Sequence, residues 1–217
     1  MTDLLPLFVN LTARHVVLVG GGPVASAKLT QLLAAGADVH VVAPEIHEDI
    51  VKAGVAISRR QFVPADLDGA WLVVAAATPD VNRIVAAAAE ERQLFVNAVD
   101  DPANASAFLS GVVRRDGVTL AISTSGEAPG LTALLREALE AVLPRDLGAW
   151  VREARRQRAG WKEDGVPMSQ RRPLLLEALN KLYGLTAEHA KHAESPMDSS
   201  AISAGSAVNR RGGGTWQ

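Results

Sequence analysis

An apolar run that ends abruptly in glycines is the feature that most constrains this chain. Residues 16–19, Val-Val-Leu-Val, favour a buried strand, and the residues after them match the pattern Gly-x-Gly-x-x-Ala at Gly20, Gly22 and Ala25. A segment with helical periodicity follows directly at residues 26–35. A strand, a glycine turn and a helix in this order form the context in which such a pattern binds a dinucleotide.

Each of the three small residues has a predicted role in that turn. Gly20 permits the tight turn, Gly22 lets the backbone approach a pyrophosphate, and Ala25 allows close packing of helix on strand. The pyrophosphate would bind the N–H groups at the helix N-terminus, where the helix dipole favours an anion. The pattern therefore predicts an NAD site. The alternative is a glycine turn in a parallel sheet that binds no ligand.

Strand-like and helix-like segments alternate as far as residue 97. Further strands are predicted at residues 39–43, 56–60, 71–76 and 94–97. An alanine-rich helix is predicted at residues 80–92, with Thr78 or Asp80 as its N-cap. Such alternation indicates a parallel sheet with helices on both faces. The predicted fold class is therefore α/β, with a Rossmann-type domain at residues 1–112.

The pattern changes after the last of these strands. Two apolar runs, at residues 107–113 and 118–123, are joined by Arg-Arg-Asp-Gly, and Asp-Gly between β-rich runs predicts a hairpin. A helix is predicted at residues 129–143, beginning at a proline, which suits a first helical turn. Its apolar face consists of Leu131, Leu134, Leu135, Leu139 and Val142. Together these elements predict a small α+β domain at residues 113–144.

The remainder of the chain is basic and helical, and then low in complexity. Residues 144–183 hold nine Lys or Arg and five Asp or Glu, whereas residues 1–143 hold ten and sixteen. A helical domain is predicted at residues 145–183. Residues 184–217 are rich in Ser, Ala and Gly and carry too few apolar residues to offset the entropy of ordering, which predicts a disordered tail.

Composition excludes several classes of protein. The 217 residues carry a formal net charge of −2, which argues against general nucleic-acid binding, and no cysteine, which removes disulfides and thiolate chemistry. The five histidines form no convincing metal cluster. No run approaches the roughly 20 apolar residues that span a bilayer, and the first residues lack a signal-peptide pattern. These features predict a cytoplasmic protein without nucleic-acid or membrane partners.

The loops after the strands extend the predicted cofactor site, because ligands bind at the carboxyl ends of strands in open α/β sheets. The alanines at residues 75–77, followed by Thr78, would let a dinucleotide lie close, although they also suit ordinary packing. The second strand ends in Ala43-Pro44-Glu45 rather than in the acidic residue of the usual pattern, so Glu45 or the loop backbone would hold the ribose. No arginine stands there for a 2′-phosphate, which favours NAD over NADP.

Two adjacent acids, Asp100 and Asp101, follow the last strand of the sheet and precede Pro102. A carboxylate at the mouth of the sheet could act as a general base or bind a metal. The same three residues are also good turn formers. Their spacing alone does not decide between these interpretations.

Four arginines of the basic segment lie on roughly one side of a predicted helix: Arg152, Arg155, Arg156 and Arg158. A charged helix face is usually a solvated surface. The functional interpretation is a clamp for a polyanionic small molecule, since guanidinium groups pair bidentately with carboxylates.

Several motifs occur in an order that is similar to one known family. They are Leu5-Pro6-Leu7-Phe8, residues 19–25 with Lys28, residues 75–78 with Asn82, Asn97-Ala98-Val99-Asp100-Asp101-Pro102 with residues 105–108, residues 122–126, Pro129 and residues 134–137. In these residues the chain resembles the precorrin-2 dehydrogenase family, which also occurs as the N-terminal module of siroheme synthase. The resemblance covers about residues 3–183.

The resemblance implies NAD-dependent oxidation of precorrin-2 to sirohydrochlorin, on the route to siroheme or cobalamin. It implies a homodimer with a Rossmann domain, a central dimerisation domain and a helical domain. It makes Asp100 the key aspartate, and it places Thr124 where some members have a regulatory serine, so that serine chemistry is not carried over. The residues that it implies for NAD contact are Pro23, Val24, Pro44 and Glu45.

The tetrapyrrole substrate implied by the family is rich in carboxylates, and the basic segment offers complementary charge. Our hypothesis is that Arg155 and Arg156 bind it from the helical segment, together with Arg114, Arg115 and Arg136 from the hairpin region. Two alternatives stay open. Some relatives also insert ferrous iron with the same aspartate, and a non-catalytic NAD-sensing domain would share the fold without needing Asp100 or the basic clamp.

Overall fold

The computed structural model describes residues 4–109 and 111–184, so the predicted tail lies outside the described residues beyond Gly184. The strands of the main sheet are β1 (His15–Val19), β2 (Asp38–Val42), β3 (Ala56–Ser58), β4 (Leu72–Ala75) and β5 (Phe95–Ala98). All neighbours pair in parallel, in the order β3-β2-β1-β4-β5. The predicted parallel α/β sheet is confirmed.

Helices cover both faces of this sheet, which is why its central strands are apolar without alternation. They are α1 (Pro23–Ala34), α2 (Glu48–Lys52) and α3 (Pro79–Glu91). On one face, Leu29 and Leu32 of α1 pack with Leu18 of β1; on the other, Val85 of α3 packs with Val17. These side chains are at most 2% exposed, so the sheet edge that carries the loops rests on a rigid core.

Several predicted boundaries of the main sheet and its helices are wrong by one to three residues. Trp71 does not belong to the buried strand: it is 48% exposed, and the Arg14 guanidinium lies 3.8 Å from its ring centroid. The third strand ends at Ser58 instead of Arg60, because Arg60 turns to pair with a later acid. The first helix begins at Pro23, three residues early, since proline fits its first turn without needing an N–H partner.

The predicted hairpin is present as β6 (Gly111–Arg115) and β7 (Val118–Ile122), paired antiparallel. Asp116 and Gly117 form its turn with φ angles of 50° and 86°, as Asp-Gly predicts. Arg114 and Arg115 end β6 and are not turn residues. Residues 107–109, which the predicted run included, are not part of a strand, and the N–H groups of Ser106 and Ala107 donate instead to the Val96 carbonyl of β5.

Helix α4 (Pro129–Val142) follows the hairpin and packs on it. Its predicted apolar face is largely uncovered by the other described residues: Leu134 is 63% exposed and Val142 is 79% exposed. Exposed leucines and valines at helical spacing are typical of a surface that another protein chain covers.

Residues up to Arg145 and residues from Asp146 form two separate units. The second contains α5 (Leu147–Glu163) and α6 (Met168–Leu182), joined by a turn at Gly165. The predicted boundaries at residues 112 and 144 stay predictions. In the part of the chain that the structure describes, no helix is long and apolar enough to cross a membrane.

Candidate functional site

The loops that follow β1 to β4 enclose a cleft of about 590 Å³ at the carboxyl edge of the main sheet. Parallel strands bring these loops to one edge, which is where open α/β sheets bind ligands. The predicted cofactor residues that line the cleft are Gly20, Gly22, Pro44, Glu45 and Thr78. The other three, Pro23, Val24 and Ala25, form the first turn of α1.

The three consecutive glycines differ in what a side chain would meet. At Gly20, where φ is 126°, a Cβ atom would lie 2.2 Å from the Ala76 carbonyl oxygen. At Gly21 it would lie 1.8 Å from the carbonyl oxygen of Glu45. At Gly22 it would meet nothing within 4 Å. The first two glycines therefore allow neighbouring loops to approach, and the third leaves space open in front of α1.

The start of α1 supplies donors toward that space. Its first intrahelical hydrogen bond runs from the Ser26 N–H to the Gly22 carbonyl at 3.0 Å, so the N–H groups of Val24 and Ala25 precede it. The first turn contains no acidic residue, and Gly22 contributes no capping side chain. Open space, amides with no acceptor among the described residues, and the helix dipole together fit the pyrophosphate of a dinucleotide.

Glu45 and Thr78 contribute side chains to two walls of the cleft. The Glu45 loop is held against the glycine turn, because the His47 N–H donates to the Gly21 carbonyl at 2.7 Å. Among the described residues, the Glu45 carboxylate has no hydrogen-bond or salt-bridge partner. Thr78 stands at the N-cap of α3 as predicted, but its hydroxyl makes no capping hydrogen bond there. Both side chains are available to a ligand.

Four residues that line the cleft were not predicted from the sequence: Gln61, Phe62, Val81 and Ile84. Phe62, Val81 and Ile84 form an apolar end to the cleft. Gln61 and Phe62 are held by Asp66, whose buried carboxylate accepts from the Val63 N–H at 2.9 Å and from Arg60 at 2.8 Å. Arg60 also donates to the Gln61 carbonyl at 3.0 Å. Gln61 and Phe62 follow the end of β3, and this position alone could have indicated that they belong to a ligand site.

Asp100 lies on the next loop along the sheet edge, outside the residues that line the cleft. Its φ angle is 57°, a left-handed conformation that aspartate and asparagine tolerate better than most residues. The loop is closed behind it, because both Ser106 N–H and Ala107 N–H donate to the Val96 carbonyl at 2.9 Å. The Asp100 side chain is exposed.

The two adjacent acids have different surroundings. The Asp101 carboxylate accepts from Asn104 Nδ2 at 2.7 Å, which stabilises the turn that the sequence indicated. No described residue donates a hydrogen bond to the Asp100 carboxylate. Asp100 takes the left-handed backbone position of the turn, and Asp101 precedes the short helical turn at Pro102–Asn104. Of the two acids, Asp100 is the one whose carboxylate accepts no hydrogen bond from the described residues, so its catalytic role stays a prediction.

Lys28 of α1 faces this loop. Its ammonium donates to the Leu109 carbonyl at 3.2 Å and is half-buried. Burial lowers the pKa of Lys28, and the Asp100 carboxylate acts in the opposite direction and raises it. A cationic side chain therefore lies near the candidate catalytic carboxylate, at a position that the sequence marked only as part of a motif.

The predicted substrate-binding arginines fall into two groups. Arg115 donates to the Leu143, Glu140 and Pro144 carbonyls at the end of α4, Arg136 pairs with Glu140 at 2.9 Å, and Arg156 pairs with Glu153 at 2.6 Å. Their guanidinium groups stabilise helices. Arg114 and Arg155 are exposed, and neither has a partner within the described residues. They lie in different units.

Comparison with known proteins agrees with this geometry. Residues 7–111, which include the glycine turn and the Asp100 loop, match a family model described as "Putative NAD(P)-binding". Siroheme synthase of Photorhabdus laumondii is 40% identical over 188 residues, which cover 84% of this chain and 40% of that protein. Siroheme synthase of Tolumonas auensis is 44% identical over 150 residues, covering 68% and 32%. The chain thus spans well under half the length of these relatives.

A solved structure covers more of the chain. SirC, a precorrin-2 dehydrogenase, has a TM-score of 0.65 and 25% sequence identity, and the match covers 87% of this chain and 96% of that one. The sequence likeness to the siroheme synthase of Photorhabdus laumondii and the structural likeness to SirC each extend over most of this chain. The chain belongs to the family that comprises precorrin-2 dehydrogenase and the corresponding module of siroheme synthase.

Proposed function

We propose that this protein oxidises precorrin-2 to sirohydrochlorin with NAD as the oxidant. The observation that carries the proposal is the juxtaposition of a dinucleotide cleft with the Asp100 carboxylate on the adjacent strand end. The precorrin-2 dehydrogenase SirC supports it, because the match extends over nearly all of that protein. We also keep a cytoplasmic location as part of the proposal.

The cofactor half of the site consists mainly of backbone. The amides of Val24 and Ala25 would hold the pyrophosphate, and Glu45 would accept hydrogen bonds from the adenosine ribose. The carboxylate of Glu45 would also repel a 2′-phosphate, which favours NAD over NADP. Bound NAD would accept the hydride that leaves the substrate.

Asp100 would serve the substrate side of the reaction. Its carboxylate is exposed, lies at the sheet edge and accepts no hydrogen bond from the described residues. It can therefore take the proton that leaves with the hydride, or hold a pyrrole N–H of the macrocycle in place. The fixed loop behind it limits the search for a productive orientation.

The substrate carboxylates would meet positive charge from Arg114 and Arg155. Both guanidinium groups are unpaired within the described residues, unlike Arg115, Arg136 and Arg156. We retain these last three only as secondary candidates, because each would have to leave a helix contact to bind a ligand. Steering by the basic residues 144–183 would add to the association rate at low salt.

A homodimer is the proposed assembly. The hairpin β6–β7 has only two strands, which is marginal for an independent sheet, and the apolar side chains of α4 beside it are exposed. A second copy of the chain that covered this region would bury these side chains and add strands. We therefore propose that residues 113–144 form a central domain through which two copies of the chain dimerise.

The proposal is tested by anaerobic incubation of the protein with precorrin-2 and NAD, followed by absorbance. Appearance of sirohydrochlorin together with NADH in equal amounts is the expected result. A second arm supplies sirohydrochlorin and ferrous iron without NAD, and metal insertion there would add the ferrochelatase activity. NAD binding measured by calorimetry without any turnover of precorrin-2 would instead favour the NAD-sensing alternative and reject a dehydrogenase.

A further inference from the structure

The side chain of Asn82 connects the cofactor cleft to the Asp100 loop. Asn82 lies in the first turn of α3 and is only 3% exposed. Its Oδ1 atom accepts from the Ala77 N–H at 3.0 Å, and its Nδ2 atom donates to the Val99 carbonyl at 3.4 Å. Ala77 lines the cleft, and Val99 immediately precedes Asp100. One rigid amide group therefore spans the loops after β4 and β5.

The hydrogen bond to Val99 acts on the peptide group that sets the conformation of Asp100. That peptide joins the Val99 carbonyl to the Asp100 nitrogen and supplies the first two atoms of the Asp100 φ torsion, which is 57°, so holding the peptide constrains this torsion. The Val99 N–H is held in turn by the Ala75 carbonyl at 2.9 Å. Val99 is thus held from β4 on its amide side and from α3 on its carbonyl side, which leaves the start of the Asp100 loop little freedom.

The residue type is informative. Asparagine has a low helix propensity, and the other buried positions of α3 are occupied by apolar residues such as Val85 and Ala89. An apolar residue would pack at position 82 but would leave both backbone groups without this partner. Only a side chain with a donor and an acceptor can hold an N–H and a carbonyl of two different loops at once.

We propose that Asn82 is a positioning residue that fixes the Asp100 carboxylate relative to the NAD cleft; this rests on the proposed function of Asp100. It contacts neither reactant and acts through the two loops. Loss of its donor should release the Asp100 loop while the cleft stays intact. The predicted signature is therefore a loss of turnover that exceeds any loss of NAD affinity.

The main test is Asn82→Asp, which keeps the acceptor for Ala77 N–H and removes the donor to Val99. We expect the Kd for NAD to stay within about threefold of wild type and kcat to fall about 10- to 100-fold, the scale of effect that a small misplacement of a reacting group produces. Asn82→Ala introduces no charge and removes both bonds, so it serves if the first variant does not fold, and it should show the same excess loss of kcat. Arg83→Ala is the matched control, since Arg83 is exposed on the same helix and pairs only with Asp80 among the described residues.

Amide hydrogen exchange gives a readout that does not depend on activity. Exchange in residues 98–101 should accelerate in Asn82→Asp, whereas exchange in β1 should not change. Wild-type kcat with unchanged exchange in these residues would overturn the inference, and so would a parallel loss of NAD affinity and kcat. If wild-type protein binds NAD but does not oxidise precorrin-2, the proposed function fails, whereas the exchange measurement still decides whether Asn82 holds the loop.

Discussion

The carboxyl edge of the main sheet and the arginine face of α5 are both candidate binding surfaces, but they are built differently. At the sheet edge the ligand-facing groups are mainly backbone atoms, placed by glycines and by strands whose side chains are almost fully buried. On α5 they are long side chains on a helix with only Leu147 and Glu153 buried. The first surface is set by the core, whereas the second depends on which guanidinium groups are already paired.

This difference explains why the sequence locates ligand-facing residues better at the sheet edge than on α5. A glycine pattern constrains the backbone directly, and Gly20 and Gly22 line the cleft. Pro44, Glu45 and Thr78, which were predicted from the loops at the strand ends, line it too. An arginine pattern gives only the helix face. Arg155 and Arg156 are adjacent in sequence and equally promising there, yet Arg156 pairs with Glu153 and Arg155 pairs with no described residue.

The largest effect is expected at the glycine turn. Gly21→Ala should abolish measurable NAD binding and lower the free energy of unfolding by about 1–3 kcal/mol, because the new Cβ would overlap the Glu45 carbonyl and force the loops apart. Gly22→Ala is the matched variant, since its Cβ meets no protein atom. It should weaken NAD binding in calorimetry while the thermal midpoint stays unchanged. Equal loss of stability in both variants would contradict a ligand-facing role for Gly22.

The next largest effect is expected at Asp100, on the loop after β5 at the carboxyl edge of the main sheet. Asp100→Asn should lower kcat about 10²- to 10⁴-fold, the usual contribution of a general base, with an unchanged Kd for NAD. Asparagine tolerates the same left-handed backbone conformation, so the loop should keep its shape. Steady-state kinetics and calorimetry together check this. Full turnover in this variant would remove proton transfer from Asp100, and Asp101→Asn should affect stability more than rate.

A smaller effect is expected on α5, where substitution of the two adjacent arginines should have different consequences for KM and for stability. Arg155→Ala should raise KM for the tetrapyrrole severalfold at low salt, and this difference should disappear at high salt because exposed charges are screened. Arg156→Ala should change KM little and should lower the thermal midpoint, since Glu153 loses its salt bridge and keeps only the hydrogen bond from Gln157. Identical kinetic effects of both substitutions would show that the observed pairing does not decide which arginine is available.

The smallest effect is on the pH dependence of stability. The Arg60 hydrogen bonds hold the pKa of Asp66 below its ordinary value, so the ionised carboxylate stabilises the folded state above the normal aspartate range, and this contribution is lost as the pH falls through the lowered pKa. Asp66→Asn should therefore cost about 1 kcal/mol at pH 7 and progressively less below about pH 4. Urea unfolding at several pH values measures it; a constant difference across this range would contradict the assignment.

The sequence predicts the parallel sheet well, because unbroken apolar runs such as residues 16–19 occur where both faces are covered. It does not predict Gln61 and Phe62 as cleft residues, since β3 has three residues and its end is hard to locate. The roles of Arg115 and Asn82 depend on partners 25–29 and 17 residues away. Such pairings follow from packing between elements, which periodicity along one element does not contain.

The loop that begins at Asp100 returns to the strand it left, since both Ser106 and Ala107 bond to Val96. Its far end is therefore held on β5, and its start is held through Val99 by Ala75 and Asn82. Replacements between Pro102 and Ala105 could reshape what the loop presents without disturbing the strands beneath. We expect this short stretch to be where evolution, or an engineer, can alter macrocycle preference at least risk to folding.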